Sequence, residues 1–582
     1  MRVFFIFLML FNVCLSSEIK WFSYEEGIKK AKSEKKLILL DIYAQWCHWC
    51  NVMENTTYRD QNVVSLITQH FIPIRVDAEK RPDLNKKYNQ GGLPTTVIMD
   101  SEGNILWGGI YVSPEDMERL LSYFLSLDEK QIKKIAQLNK KKEERAYKRF
   151  FKKIKPKEPS KKYIKKVFRS IKIRFDSENG GFYGAPKFPQ EELLHFLLLY
   201  WKFVGDKEAK KMMIKTAQGY MRLIDPVEGG IYRYSVNQYW TQPHYEKLLK
   251  DQSDLSSTFF DIYSQTGDNR FLRSALSLVN FSINKLYDRN RKLFYNSQGA
   301  DIVDQEGTIL MTGEEFFKLS REERKKAVKK LGYPPKLEKS FYYGNNALIS
   351  KALFYAYIFT GEKKYLNTAK DVLDTVLEKA FSEKGIIYSE NGGYYLSENI
   401  YTLEALITAY QITGDREYLK KSIDLLGILQ RYYYSKKLGI LTDPEDTGIS
   451  LKRISFIDDI ILLNARAVKS IYTLSVIAGD KNYQNFADSI IKHLPANVNI
   501  STGIGFFVYL YPPVVVHINE KNKNADLVRK ILRVFPYWIS IHFDRSEEGY
   551  FICNSQLCFF KTDNPEQVPD LLKKAVESYK NM

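Results

Sequence analysis

Five times between residues 205 and 480 a glycine followed by an acidic residue interrupts helix-like apolar segments: Gly205-Asp206, Gly267-Asp268, Gly361-Glu362, Gly414-Asp415 and Gly479-Asp480. In four of the five an aromatic ring stands four residues after the glycine, as Phe271, Tyr365, Tyr418 and Tyr483. Glycine supplies the left-handed backbone that ends a helix, and a carboxylate caps the start of the next, so each unit is predicted to be a helical hairpin. The following helices keep a one-sided apolar stripe, in one case Tyr365, Ala369, Val372, Leu373, Val376 and Ala380. Repeated hairpins stack into a solenoid or close into a ring. The short turns share one end, so the connections between hairpins must emerge at the other. They are long and irregular, which favours the ring: "DSENGGFYGAPKFPQ", "GGIYRYSVNQYWTQPHYEKLLKDQSD", "EKGIIYSENGGYYLSENIY" and "DPEDTGISLKRISFIDD".

These connections gather aromatic rings and carboxylates around one mouth. Glu246, Asp251, Asp458 and Asp459 are candidate acids and bases there, with His244, Arg233 and Tyr234 nearby. Two carboxylates across a mouth can cleave a glycoside, and aromatic faces beside them suit sugar rings as well as other ligands. Equally, Glu246 and Asp251 fit as helix-start and loop-bracing residues bonded to Arg233 or backbone amides. His195 stands on an apolar helix, which suits a core residue.

A different chemistry precedes the repeat, in "YAQWCHWCNVME" from Tyr43 to Glu54. The flanking pattern is strand ("KLILLDIY"), helix ("NVVSLITQHF"), strand ("FIPIRVD"), hairpin ("PTTVIMDSEGNILWGGIYV") and helix. Cys47 then sits where a strand gives way to a helix, whose free amides and positive end stabilise a thiolate, the attacking species in disulfide exchange. Cys50, one turn later and expected to be less exposed, would resolve the mixed disulfide. Asp41 on the preceding strand is placed to take the Cys50 proton, or else is a strand-end carboxylate facing water. His48, when protonated, would lower the Cys47 pKa, or else it merely faces solvent. Trp46 flanks the pair. Pro94, after Gly91-Gly92-Leu93, either holds a cis peptide beside the cysteines, leaving the preceding backbone free for an extended partner, or opens a strand in the ordinary trans form. A static disulfide or half a metal site is the bland alternative; zinc would need two more ligands, and only His48 and His70 are near in sequence.

At 582 residues the chain calls for several domains. Arg2, the apolar run Val3 to Leu15 and the small residues Cys14, Ser16 and Ser17 have the layout of a signal peptide over residues 1–17, which predicts export into a disulfide-permissive compartment. The run is short for a bilayer, and no membrane span is expected beyond it. The net charge of +18 comes without a base-reading motif, so it is read as a solvated lysine surface with no nucleic-acid partner. Residues 128–162 read as a charged helix and linker, and residues 496–582 as a small β-α-β unit. In the latter, Cys553 and Cys558 form either a structural disulfide or a pair that exchanges with Cys47 and Cys50.

Asp41, the run Trp46-Cys47-His48-Trp49-Cys50 and Pro94 resemble the buried acid, redox motif and cis-proline of the thioredoxin fold. With "GGFYGAPKFP", "GGIYRYS" and "PHYEKLLKDQS", the chain resembles the spermatogenesis-associated, thioredoxin-domain family, whose barrel is similar to six-hairpin glycosidases and sugar epimerases. The resemblance implies a multidomain chain: an α/β thioredoxin-like domain over 18–127, an all-α six-hairpin toroid over 163–495 and the C-terminal α/β unit. Only five Gly-acid turns are legible, so the sixth hairpin is implied by the resemblance alone. The expected function is thiol-disulfide oxidoreduction with protein thiols or disulfides as partners, beside a barrel with a ligand, carbohydrate being the candidate. The alternative is a carbohydrate-active enzyme with an accessory thioredoxin module, its epimerase form weakened because only His244 lies in a mouth segment. No cofactor or metal is expected.

Overall fold

The computed structural model describes residues 18–151, 156–444, 457–495, 497–544 and 548–581. The expected signal segment and most of the mouth segment 443–459 lie outside them. The chain divides into two compact units, residues 1–143 with 305–309 and residues 144–304 with 310–582.

In the first unit α1 (Tyr24–Glu34), β1 (Leu37–Tyr43), α2 (His48–Asn55), α3 (Gln61–His70), β2 (Phe71–Asp77), α4 (Pro82–Tyr88), β3 (Thr95–Met99), β4 (Ile105–Gly109) and α5 (Pro114–Leu125) follow in that order. The sheet runs β2-β1-β3-β4, with β1 parallel to β2 and antiparallel to β3. Strand β1 is buried on both faces, so "LILLDIY" is a near-continuous apolar run rather than an alternating one. Leu39 enters one core with Met53, Ile67 and Leu121; Ile38, Leu40 and Ile42 enter the other with Ala31 and Leu84. The charged helix α6 (Glu129–Phe151) is more than a linker. Ile132, Ile135 and Ala136 pack on the first core, and Asn139 donates to the carbonyls of Ile105 and Leu106 at 3.0 and 2.9 Å.

The second unit is a ring of paired helices. Inner helices α8 (Glu191–Leu199), α10 (Leu249–Thr266), α14 (Tyr343–Thr360), α16 (Leu396–Thr413) and α18 (Ile457–Ala478) are each followed by an outer one: α9 (Lys207–Met221), α11 (Asn269–Phe281), α15 (Lys363–Ala380), α17 (Arg416–Ile428) and α19 (Lys481–His493). Helices α12 (Gly313–Phe317) and α13 (Arg321–Leu331) lie in the connection between α11 and α14. At the turns the glycines take φ between +64° and +81°, and the side chains of Asp206, Asp268, Asp415 and Asp480 accept amide N–H groups of the following turn. Glu362, one methylene longer, makes no such cap. The aromatic positions stitch neighbouring outer helices together: Tyr365 donates to Asn280 at 2.9 Å and Tyr418 to Asp374 at 2.6 Å.

The sixth pair explains why a sixth Gly-acid turn is missing. It consists of α7 (Lys161–Arg174) outside and α20 (Ile500–Leu510) inside, the first and last helices of the ring. Helix α20 packs on α18, on α7 and on α8, closing the circle. The toroid therefore continues past residue 495, where the change of sequence pattern put its end; α20 belongs to it rather than to the C-terminal unit. Helix α18 is also long and apolar enough to cross a membrane, but here it is an inner helix with most of its apolar window buried.

The C-terminal unit is a second sheet: β5 (Val514–Asn519), α21 (Ala525–Leu532), β6 (Ile539–Asp544), β7 (Tyr550–Cys553), β8 (Cys558–Thr562) and α22 (Val568–Ser578), in strand order β6-β5-β7-β8. It covers the Gly-acid end of the ring. Arg533 donates to the carbonyls of Ile358 and Phe359 at 2.7 Å each, and Lys523 to that of Thr413, so cations meet the C-terminal carbonyls that α14 and α16 leave without helical partners.

Candidate redox and barrel sites

Cys47 is the N-cap of α2. It is disulfide-bonded to Cys50, and its Sγ accepts the Cys50 amide N–H at 3.2 Å. The helix end thus points an amide at the sulfur, as a thiolate there requires. Cys47 is 2% exposed and Cys50 8%, so the expected contrast between an accessible first and a covered second cysteine is absent: the bonded Cys47 is drawn into the first turn of the helix. The Leu93-Pro94 peptide is cis. His48 opens α2 with its ring edge-on to Trp49, at 5.5 Å between centroids, and the buried Trp46 indole donates to Glu79 at 3.2 Å.

Asp41 does not face water. It is buried, and Arg75 Nε donates to it at 2.8 Å while the same guanidinium reaches Glu54 at 2.6 Å and lies 4.0 Å over the Trp21 ring. Burial raises the Asp41 carboxyl above its usual range, and Arg75 opposes that shift. Nothing in the sequence marked Arg75, which sits opposite Asp41 only because β1 and β2 pair in that register.

Around the ring the candidate residues separate. Tyr234 stacks on His244 at 4.4 Å, and His244 Nδ1 lies 3.2 Å from the buried carboxylate of Glu246. Phe188, partly exposed, stacks on the other side of Tyr234 at 4.5 Å, so three rings lead inward to Glu246. Arg233, next along the chain, donates its backbone N–H to the His244 carbonyl at 3.2 Å. Asp251 belongs to a second group, in the first turn of α10, where burial pushes its carboxyl up to about 6 against Lys250 and Arg233. Asp458 and Asp459 are exposed at the start of α18, and Asp458 accepts from Asn499 at 2.9 Å. His195 bonds Asp261 at 3.2 Å and stacks on Tyr537 at 4.2 Å, lining the lumen rather than sitting in apolar core.

The lumen holds charges that the sequence reading passed over. Arg466 grips Glu404 at 3.0 and 2.8 Å and Asp254 at 3.0 Å; Lys351 reaches Glu404 at 2.7 Å and Lys250 reaches Asp254 at 2.8 Å. Glu192, on α8, is raised by its burial and by the neighbouring Glu191 charge. Two cavities of about 30 Å³, each room for about one water, lie among these groups. The signal was available: inner helices buried on all sides carry isolated charges, and such charges must be paired. Two Gly-Gly turns at the mouth have a bracing role. In "DSENGG" and "DPVEGG" the buried Lys187 and Lys247 reach Asp176 and Asp225 at 2.6 and 2.7 Å, and the carbonyls of Gly180 and Gly229 at 2.9 Å each. In the C-terminal unit Cys553 and Cys558 are bonded across the β7–β8 hairpin, Cys553 buried and Cys558 exposed.

The family described as Thioredox_DsbH (Protein of unknown function, DUF255) matches residues 11–155. Spermatogenesis-associated protein 20 of Rattus norvegicus is 30% identical over 315 residues, 50% of this chain and 40% of that protein. The chain thus matches less than half the length of that relative. The thiol:disulfide interchange protein DsbD of Yersinia pestis (strain Pestoides F) is 32% identical over 77 residues, 13% of each chain. Among solved structures, a sugar epimerase from a ruminal bacterium aligns with a TM-score of 0.43 and 16% identity, over 56% of this chain and 82% of that one. The chain is a homologue of spermatogenesis-associated protein 20 that carries a thioredoxin-like domain of the DsbH type.

Proposed function

We propose that the chain is an exported thiol-disulfide oxidoreductase acting on protein partners, with a barrel that binds a ligand. The observation that carries this reading is Cys47 at the N-cap of α2, bonded to Cys50 and receiving its amide. In the dithiol state Cys47 thiolate attacks one sulfur of a partner disulfide and expels the other as a thiolate. Cys50 then gives its proton to Asp41 and attacks the Cys47 sulfur, expelling the second partner sulfur as a thiolate; the two partner thiolates take up protons from Asp41 and water, so that the partner leaves as a dithiol with two electrons gained. The reverse sequence oxidises a partner dithiol. Leu93 and Pro94 present backbone to an extended partner segment.

The test uses full-length Cys50→Ser with its signal segment. Disulfide-linked partners are expected on non-reducing gels, absent when Cys47 is also replaced. A secreted protein whose sequence starts at Glu18 is expected from the export reading; an unprocessed intracellular chain would remove that part. No Cys47-dependent adducts would leave the barrel as the seat of function.

A second reading rests on the stack Phe188-Tyr234-His244 leading to the buried carboxylate of Glu246. Stacked rings beside a buried carboxylate suit a carbohydrate ligand. Oligosaccharide binding lost in Tyr234→Ala and Glu246→Gln would support it. Redox function surviving both substitutions, with no sugar bound by the parent, would end it.

A further inference from the structure

In the C-terminal sheet β5 and β6 run parallel and in register, His517 opposite His542 and Asn519 opposite Asp544. Side chains alternate along a strand, so His517 and Asn519 share one face with Ser540, His542 and Asp544, while Val514, Val516 and Ile518 share the other with Ile539, Ile541 and Phe543. Paired strands lie about 4.8 Å apart, which sets two imidazoles and a carboxylate side by side. Donor atoms of His517, His542 and Asp544 all fall within 4.8 Å of one another, and each residue is half-buried, reachable from solvent.

The second ring nitrogen of one histidine is already engaged. His542 Nδ1 lies 3.0 Å from the hydroxyl of Tyr410 on α16, and that hydroxyl also accepts the Phe543 backbone N–H at 3.1 Å. Tyr410 is buried, so the hydroxyl is a fixed point. With its Nδ1–H donating to this anchored hydroxyl, the imidazole holds an unprotonated Nε2 in a set direction, as metal-bound histidines do when they donate their other ring N–H. The cluster also lies toward the carboxyl ends of two parallel strands, where open α/β sheets bind ligands.

We propose that His517, His542 and Asp544 bind a divalent first-row transition ion, zinc for preference, with Tyr410 orienting His542. Two nitrogens and one carboxylate oxygen suit such an ion and not magnesium or calcium, which take oxygen sets. Zinc bonds of about 2.0 to 2.2 Å need donors roughly 3.3 Å apart, so binding requires the donors, which lie within 4.8 Å of one another, to close on the ion, with His517 and Asp544 moving toward the held His542. Three protein ligands leave a fourth position for water or a small anion. The ion joins the edge strand β6 to its neighbour against the base of the ring.

The test is titration of the full-length chain, disulfides intact so that no thiol competes, with cobalt followed by its visible absorption and zinc by competition with a chelating dye. One ion per chain is expected. His517→Ala and Asp544→Asn are each expected to weaken binding at least about 100-fold, and Tyr410→Phe about 10- to 100-fold, since outer partners of metal ligands have that effect. Melting in the presence of chelator checks that the His517 and Asp544 variants remain folded. The Cys47→Ser/Cys50→Ser double variant is expected to bind as the parent does. Saturable binding that survives His517→Ala, or none by the parent at about millimolar metal, would overturn the proposal.

Discussion

At Asp41 burial and a cation pull in opposite directions. Burial holds the proton on, and Arg75 at 2.8 Å favours its loss. The folded carboxyl stays above the unfolded value of about 3.9, so its ionisation costs stability as pH rises through that interval. Replacing Arg75 with leucine leaves the burial unopposed. The expected outcome is a pH profile for disulfide exchange whose acid limb moves to higher pH, measured by stopped-flow fluorescence; an unmoved limb would show that Asp41 does not handle the Cys50 proton. Glu404 is the opposite case. Burial alone would raise it, but Arg466 and Lys351 hold it well below the usual carboxylate range. The stability it contributes is present above about pH 4.3 and lost as pH falls toward its folded pKa. Glu404→Gln is expected to cost about 3 to 5 kcal/mol at pH 7 in urea unfolding, and to flatten the acid side of the stability curve. Asp41 and the cysteines were legible because motif and spacing name them. Arg75, Glu404 and Arg466 were not, because their meaning depends on strand register and ring closure, which bring together residues as far apart as Asp254 and Arg466.

Among elements, the Gly-acid turns are the part of the fold that sequence specifies most directly, since one backbone conformation and one cap define each. Gly267 has open space where a Cβ would go but φ of +69°, so Gly267→Ala should cost about 1 kcal/mol from backbone strain alone. Glu362 is the turn acid that makes no cap. Glu362→Asp is expected to stabilise the chain by about 0.5 to 1 kcal/mol, read as a higher urea midpoint. Helix α6 was harder to place. Its density of lysine and glutamate reads as a charged helix leading into a linker, which gives no sign of docking, yet one face carries Ile132, Ile135 and Ala136 at helical spacing. A fragment of residues 18–143 is expected to unfold cooperatively, and one ending at residue 127 to be less stable by about 2 to 4 kcal/mol from the lost apolar burial. Equal urea midpoints for the two fragments would return α6 to the role of linker.

On the scale of the whole molecule, the sequence shows five hairpins but not the sixth, because a Gly-acid turn joins helices adjacent along the chain and the last pair is not adjacent. Helices α7 and α20 are separated by the entire ring, and only the structure sets them side by side. A chain synthesised from its N-terminus therefore lacks the helix that closes the ring until residue 510 has been added. During that interval the charged inner faces, Asp254 and Glu404 with Arg466 among them, stand beside an unclosed seam. The toroid is built like a buckle whose two ends come from opposite ends of its sequence, and a chain cut short of residue 500 lacks the helix that fills the slot beside α7 and α8.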